Sequence, residues 1–406
     1  MWIDGALPLG EGGCSFAAAS MAGPATVTPL FPDLPVAAQA PGGGHAGVLP
    51  DVAIRELIAG GEIAAEALIA DAQIQPASLD LRLGRFAYRV RASFLPGAGS
   101  VEEKLEAFGM HRIDLAEGAV LERGCVYIVP LMERLALPPS ISALCNPKSS
   151  TGRLDIFVRL ITDHAWSFDR VERGYRGRLY AEIAPRTFSV MVRLGTRLNQ
   201  LRFRHGSEIA SSASPRRLHD QARLVDSPAG EETIRQGLVG VTIDLEGDPA
   251  TGLVGFKARK HSDVIDVDKR EAYEPLDFWE PIPNRQRRLI LDPDDFYILV
   301  TREAVTIPPD HAAEMVAYDT MVGEFRVHYA GFFDPGFGHG GEGHGSRAVL
   351  EVRSHEVPFL LEHGQTVGWL RFERLTGPPA RLYGAGVGSS YQKQGLQLSK
   401  QFKRIG

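Results

Sequence analysis

The chain has 406 residues, 44% hydrophobic and 23% charged, with a formal net charge of −6. That balance is ordinary for a water-soluble globular protein of two or three domains, and the negative net charge argues against a nucleic-acid polymer as partner. No run comes near the roughly 18 consecutive apolar residues that a membrane span requires, so no membrane partner is expected.

Cys14, Cys125 and Cys145 are few, odd in number and not at metal-ligand spacing. They speak against a disulfide framework and for a reducing cytoplasm. Residues 1–46 are rich in Ala, Gly and Pro and lack an amphipathic period; they read as a poorly ordered extension and not as a signal peptide. Order is expected from "GVLPDVAIRELIAGGEI", where Asp51 caps a short helix, Ile54, Leu57 and Ile58 share one face, and Gly60-Gly61 end it. The alternation in "IQPASLDLRLGRFAYRV" reads as strand. Beyond it, short β-branched and aromatic runs separated by Pro, Gly and Asp predict a mainly β architecture.

The chain repeats itself. "CVYIVPLMERLALPPSISAL" (125–144) aligns with "DFYILVTREAVTIPPDHAAE" (295–314), so that Tyr127 matches Tyr297 at an offset of 170. "RLYAEIAPRTFSVMVRLGTRLNQLRF" aligns with "RAVLEVRSHEVPFLLEHGQTVGWLRF", so that Glu182 matches Glu351 and Phe203 matches Phe372, each at an offset of 169. Asp80 has a looser counterpart in Asp244. A near-constant offset predicts two copies of one β domain, 47–215 and 225–385. Residues 206–230, polar and rich in Ser, Ala and Arg, read as linker, and 386–406 form a tail.

One stretch is not repeated. "NPKSSTGRLD" (146–155) places Lys148, Ser149, Ser150 and Arg153 together after an apolar run, while the matching part of the second copy reads "AYDTMVGEF". Two hydroxyls, two cations and the N–H groups of a turn suit an anionic ligand. No zinc signature accompanies this stretch.

Together "PASLDLRLG", "PKSSTGR", "VHYAGFFDPGF", "AVLEV", "LTGPPARLY" and "SYQKQG" resemble, in order, the motifs of the deoxycytidine triphosphate deaminases of the dUTPase superfamily. The resemblance covers residues 47 to 400. It implies two tandem dUTPase-like distorted β-barrel or jelly-roll domains with short helices. It also implies hydrolytic deamination of dCTP to dUTP and ammonia, with Mg2+ carried by the substrate triphosphate and no zinc. Family members usually carry one copy per chain; here two are fused and neither is complete. The first copy keeps Ser149, Ser150 and Arg153, with Lys148 where the family typically has Arg. The second keeps the base-pocket hairpin, with Ala330, Asp334 and Glu351. In the superfamily, sites lie between subunits, so the expectation is one site per chain between the two copies. The rival is a site of the first copy alone, using Glu182 across a chain–chain interface.

The resemblance assigns roles. A carboxylate, Glu351 or Glu182, takes a proton from water; such a group works best when burial raises its pKa from about 4.3 towards about 6–7. Both glutamates stand at inward-facing parity among apolar residues. Ser149 orients the water, Arg153 stabilises developing negative charge, and Lys148 and Ser150 hold the triphosphate. Asp334 accepts from the 3′-hydroxyl, the plainer alternative being that "DPGF" is simply a type I turn with Pro at its second position, and Phe332 or Phe333 walls off a ribose 2′-hydroxyl. Tyr383, Tyr391 and Gln394 belong to the tail that folds over the nucleotide. Alternatives are a dUTP pyrophosphatase or a bifunctional enzyme, for which Asp163 in "ITD" is a weak marker, and an inactive nucleotide-sensing protein. A homo-oligomer is compatible with all of these. In "GHGGEGHG" (338–345) the alternation with Gly favours a floppy hairpin tip over a metal site at His339, Glu342 and His344.

Overall fold

The computed structural model describes residues 46–207, 214–227, 233–316, 325–328, 331–339, 345–354, 356–384 and 395–404. The extension 1–45, Ala330, Glu342, His344, Tyr391 and Gln394 lie outside the described residues.

The described chain is mainly β, and its strand order repeats. In the first half one sheet runs 170–171, 141–147, 199–205, 78–81, 74–75, and a second runs 156–162, 176–185, 126–136, 86–90, 109–114. In the second half the corresponding orders are 332–333, 311–316, 366–374, 238–242, 234–235 and 325–328, 346–354, 296–305, 253–258, 279–283. The five-strand orders of the two halves therefore match, and the first half adds 47–48 beside 199–205 and 63–65 beside 126–136. Glu182 pairs across the sheet with Ile128, and Glu351 with Ile298, so the repeat seen in the letters is a repeat of register. Alternation makes this possible, since a slip of one residue would turn either glutamate to the other face.

Three local expectations are corrected. Asp51 is the first residue of the helix Asp51–Ala59, not its cap; Pro50 stands before it. Its carboxylate is drawn away to accept from the Ala380 N–H at 2.8 Å. Within 206–230, read as linker, Pro215–Ala222 forms a helix with Leu218 buried; proline at its first position supplies the helical φ. The turn at Asp334 has Gly336 at φ 89, with the Phe337 N–H donating to the Asp334 carbonyl at 3.1 Å. Positive φ at the third position makes it a type II turn.

The largest apolar core crosses from one half to the other, joining Phe188, Leu154 and Ile156 to Phe256, Trp279, Phe296 and Phe402. Phe402, near the end of the chain, lies 5.4 Å from Phe278 and 5.9 Å from Trp279, edge to face. Around this core runs a buried ionic seam. Arg202, with 0% exposure, donates to Asp334 at 3.1 Å and to the carbonyls of Ala313 and Phe333. Arg204 is paired with Glu373, and with Glu314 at 3.2 Å. In each pair the arginine comes from the first half and the acid from the second. A residue that leaves such a pair strands a desolvated charge. Arg204→Leu is thus expected to cost about 3–5 kcal/mol in denaturant unfolding, and Arg204→Leu/Glu373→Leu to recover most of that.

The first half has a half-buried acid, Asp169, just before its strand 170–171. Burial pushes the Asp169 carboxyl up to about 7, opposed by the Leu160 N–H that it accepts at 2.7 Å and by Arg159. The folded chain keeps this proton to higher pH than the unfolded one. Its contribution is therefore fully present below about pH 4 and is lost as pH rises through about 7. Asp169→Asn should raise the thermal midpoint at pH 8 by at least ~2 °C and leave it unchanged near pH 4. Equal midpoints at both pH values would contradict this account.

Candidate functional site

The Ser149 turn begins where the strand Ile141–Pro147 runs out. Residues Ser149–Gly152 make one helical turn, with the N–H groups of Thr151 and Gly152 both donating to the Lys148 carbonyl. The N–H groups of Ser149 and Ser150 head that turn, the end that leaves donors for a ligand. Asp155 then takes φ 52, a left-handed conformation that Asp tolerates, and redirects the chain into the strand Ile156–Thr162.

This turn faces the strand Ser346–Ser354 of the second half. Arg153 Nε stands 4.0 Å from Glu351 Oε1, with side chains 3% and 1% exposed. Gly152 makes the approach possible: a Cβ there would come within 3.3 Å of the Glu351 carboxyl carbon. The opposite side of Arg153 is held from the end of the chain, since its Nη1 donates to the Gln397 carbonyl at 3.1 Å. Ser399 Oγ donates to the Ser150 carbonyl at 2.8 Å, and Gln401 Nε2 to the Val267 carbonyl at 2.7 Å.

These groups line a cavity of about 770 Å³, within the range of small-molecule sites. Lys148, Ser149, Ser150, Arg153, Asp334, Glu351 and Tyr383, all singled out in the sequence, line it, as do Phe332 and Phe333. Glu182 does not. It is buried in the first half, paired with Arg159, which also lies over the Phe168 ring at 3.5 Å. Arg159 stands directly opposite Glu182 in the strand register. Asp163 also lies outside the cavity, where it accepts from the Val101 N–H at 2.8 Å at the start of the helix Val101–Phe108.

Two expected roles meet partners inside the protein. Lys148 is paired with buried Asp80, which Arg197 also approaches at 3.4 Å. Asp334 is held by Arg202, and burial raises its pKa against the pull of that guanidinium. The cavity has further cations that the sequence reading did not single out: Arg197, Arg270, Lys400 and Arg381, the last within "LTGPPARLY". Burial, then repulsion from Lys148, Arg270 and Arg197, lowers the Lys400 ammonium to about 8. Nothing local marked Lys400, because it lies in a segment that reads as loose tail. Its place comes from its buried neighbours Leu398, Ser399, Gln401 and Phe402. Among the described residues no three His, Cys, Asp or Glu side chains converge as metal ligands.

The cavity wall at Tyr383 and Arg381 is likewise built from both halves. Tyr383 donates its N–H to the Pro335 carbonyl at 2.8 Å, and its ring lies tilted against Phe337 at 5.5 Å. Arg381 reaches back to Asp71 of the first half at 2.8 Å.

Comparisons with known proteins follow the same division. The sequence profile of the 2'-deoxycytidine 5'-triphosphate deaminase N-terminal domain matches residues 45–207, and that of the C-terminal domain matches 211–402. A crystal structure of 2'-deoxycytidine 5'-triphosphate deaminase from Agrobacterium tumefaciens is 56% identical, with a TM-score of 0.77, over 82% of this chain and 99% of that one. A dCTP deaminase of Natronomonas pharaonis is 32% identical over 47% of this chain and 94% of its own length. A "dCTP deaminase, dUMP-forming" of Beutenbergia cavernae is 34% identical over 30% of this chain and 66% of its own length. The chain belongs to the 2'-deoxycytidine 5'-triphosphate deaminase family.

Proposed function

We infer that the chain is an enzyme that deaminates dCTP to dUTP and ammonia, and that it does so at a single site between its two halves. The observation that carries the site is the approach of Arg153, from the Ser-Ser-x-x-Arg turn of one half, to Glu351, on the hairpin strand of the other. We further propose that each half is a dUTPase-like jelly roll, and that the sparse cysteines, of which Cys125 and Cys145 are unbridged, suit a cytoplasmic enzyme.

In this reading the cytosine enters the buried end of the cavity. Glu351 takes a proton from water as the water oxygen bonds to C4, and passes it to the ring nitrogen N3. It then takes the proton of the new C4 hydroxyl and gives it to the amine, which leaves as ammonia as the C4–N bond breaks and the C4–O double bond forms. Ser149 orients the water. Arg153 fixes the carboxylate and offsets negative charge as it develops; a donor held rigidly in a water-poor site is worth far more than one in solution. Phe332 and Phe333 supply the apolar wall beside the sugar. Asp334 accepts from the 3′-hydroxyl while Arg202 keeps its carboxylate in place.

The triphosphate lies at the other end. Lys148, Ser150, Arg197, Arg270 and Lys400 face it, with Mg2+ carried on the phosphate oxygens, where a hard divalent ion commonly binds with nucleotides. Tyr383 backs the sugar, and we propose that Tyr391 and Gln394 complete the cover.

A second reading has one observation in its favour: some relatives carry the name "dCTP deaminase, dUMP-forming". A bifunctional enzyme would release pyrophosphate as well as ammonia from dCTP. Asp163, the residue that raised this idea, is engaged with the Val101 N–H outside the cavity.

Incubation with dCTP and Mg2+, following ammonia and pyrophosphate, tests both readings. Glu351→Gln should lower kcat at least ~10³-fold while Glu182→Gln keeps it within about threefold; the reverse pattern would sink the site between the halves. Pyrophosphate released in step with ammonia would establish the bifunctional reading.

Lys400 gives a separate test. Its ammonium, lowered to about 8, loses charge as pH rises through that value in the free enzyme. kcat/KM for dCTP should therefore fall above about pH 8, and Lys400→Arg should remove that inflection. Lys400→Met should raise KM about tenfold or more at pH 7 with little change in kcat, the pattern of a lost charge-assisted phosphate contact.

A further inference from the structure

Two ion pairs cross between the Ser149 turn and the glutamate strand, and they run side by side with opposite polarity. Arg153 faces Glu351, and two residues further along each segment Asp155 is paired with Arg353. Period-two geometry puts Glu351 and Arg353 on the same face of their strand. Asp155 and Arg353 are 5% and 4% exposed.

The second pair is held by several hydrogen bonds. Thr187 Oγ1 donates to Asp155 Oδ2 at 2.6 Å and accepts from Arg353 Nη2 at 3.0 Å. Arg353 Nη1 donates to the Asp294 carbonyl at 2.6 Å. The backbone of Asp155 is tied on both sides: its N–H donates to the Gly152 carbonyl at 2.8 Å, and its carbonyl accepts from the Arg186 N–H at 3.0 Å. The chain takes the left-handed conformation at this non-glycine residue to make these contacts. Two charges taken out of water need partners such as these to be tolerated. Nothing in the deamination chemistry calls for the pair, and neither residue lines the cavity.

We propose that Asp155 and Arg353, with Thr187 between them, are positioning residues for the reaction: they set the distance and angle at which Arg153 meets Glu351. The proposal rests on the assignment of Glu351 and Arg153 to the chemistry. A catalytic pair contributed by two halves needs its register held to a fraction of an ångström, and a misplacement of about 1 Å can cost ~10²-fold in rate. The Asp155–Arg353 pair supplies that register two residues from the reacting groups, where a lever arm is shortest.

A positioning role predicts a loss in kcat with little change in substrate binding, because the phosphate-facing cations are untouched. Asp155→Asn and Arg353→Gln should each lower kcat for ammonia release about tenfold or more, with KM for dCTP within about threefold. The double variant should be no slower than the slower single one, since both remove the same latch. Thr187→Val, which keeps both charges, should show a smaller loss of about two- to fivefold, and it serves where a charge variant does not fold. Circular dichroism at the assay temperature establishes that each variant is folded. Folded variants with unchanged kcat, or losses that multiply in the double variant, would overturn the proposal. Glu351→Gln run alongside separates the two levels. If it retains activity, the site assignment itself falls; if it is inactive while Asp155→Asn is not, only the latch falls.

Discussion

The structure depends on charges that are buried between its two halves and paired across them. Arg202 and Arg204 project from one strand of the first half and are almost fully desolvated against Asp334, Glu314 and Glu373 of the second. Arg153 and Asp155 do the same against Glu351 and Arg353. Taking an ion out of water costs several kcal/mol, and only a well-placed partner offsets it. Neither half could bury these groups alone. Docking is therefore selective for one arrangement, and the cavity is the space that this arrangement leaves.

The two glutamates show how the same local rule gives different outcomes. Glu182 and Glu351 occupy the same place in the same strand order, each nearly fully buried. Opposite Glu182 in the sheet stands Arg159, which claims it within its own half. Opposite Glu351 stands His328, and the guanidinium that approaches Glu351 comes instead from Arg153 in the other half. One glutamate is thus closed into a structural pair, while the other faces a cavity.

The end of the chain completes this division of labour. Residues 396–402 carry carbonyls to Arg153, a hydroxyl to Ser150 and an ammonium into the cation cluster, while Phe402 anchors them in the shared aromatic core. The anchor is apolar and the delivered groups are polar, so the segment is fixed at one point and exerts its effect at another. Asp51 follows the same logic at the start of the described chain: its carboxylate leaves the helix end it could have capped to hold the segment leading to Arg381 and Tyr383.

By itself the sequence determined whatever depends on neighbours along the chain. Alternating apolar residues and a near-constant offset made the β architecture and its repetition legible, because strand parity and turn residues are local properties. The loss of the Ser149 motif from one copy and of the hairpin motif from the other was legible for the same reason. Three matters belonged to the tertiary structure. Parity buried Glu182 and Glu351 alike, and only the packing of the halves brought Arg153 to one of them. The turn at Asp334 was recognisable from Pro335 and Gly336, but its type followed from the φ that Gly336 adopts. Lys400, Arg270 and the Asp155–Arg353 pair carried no local signal. Their positions are set by contacts between segments up to about 250 residues apart, where the cost of an unpaired buried charge, and not the order of residues, selects the partner.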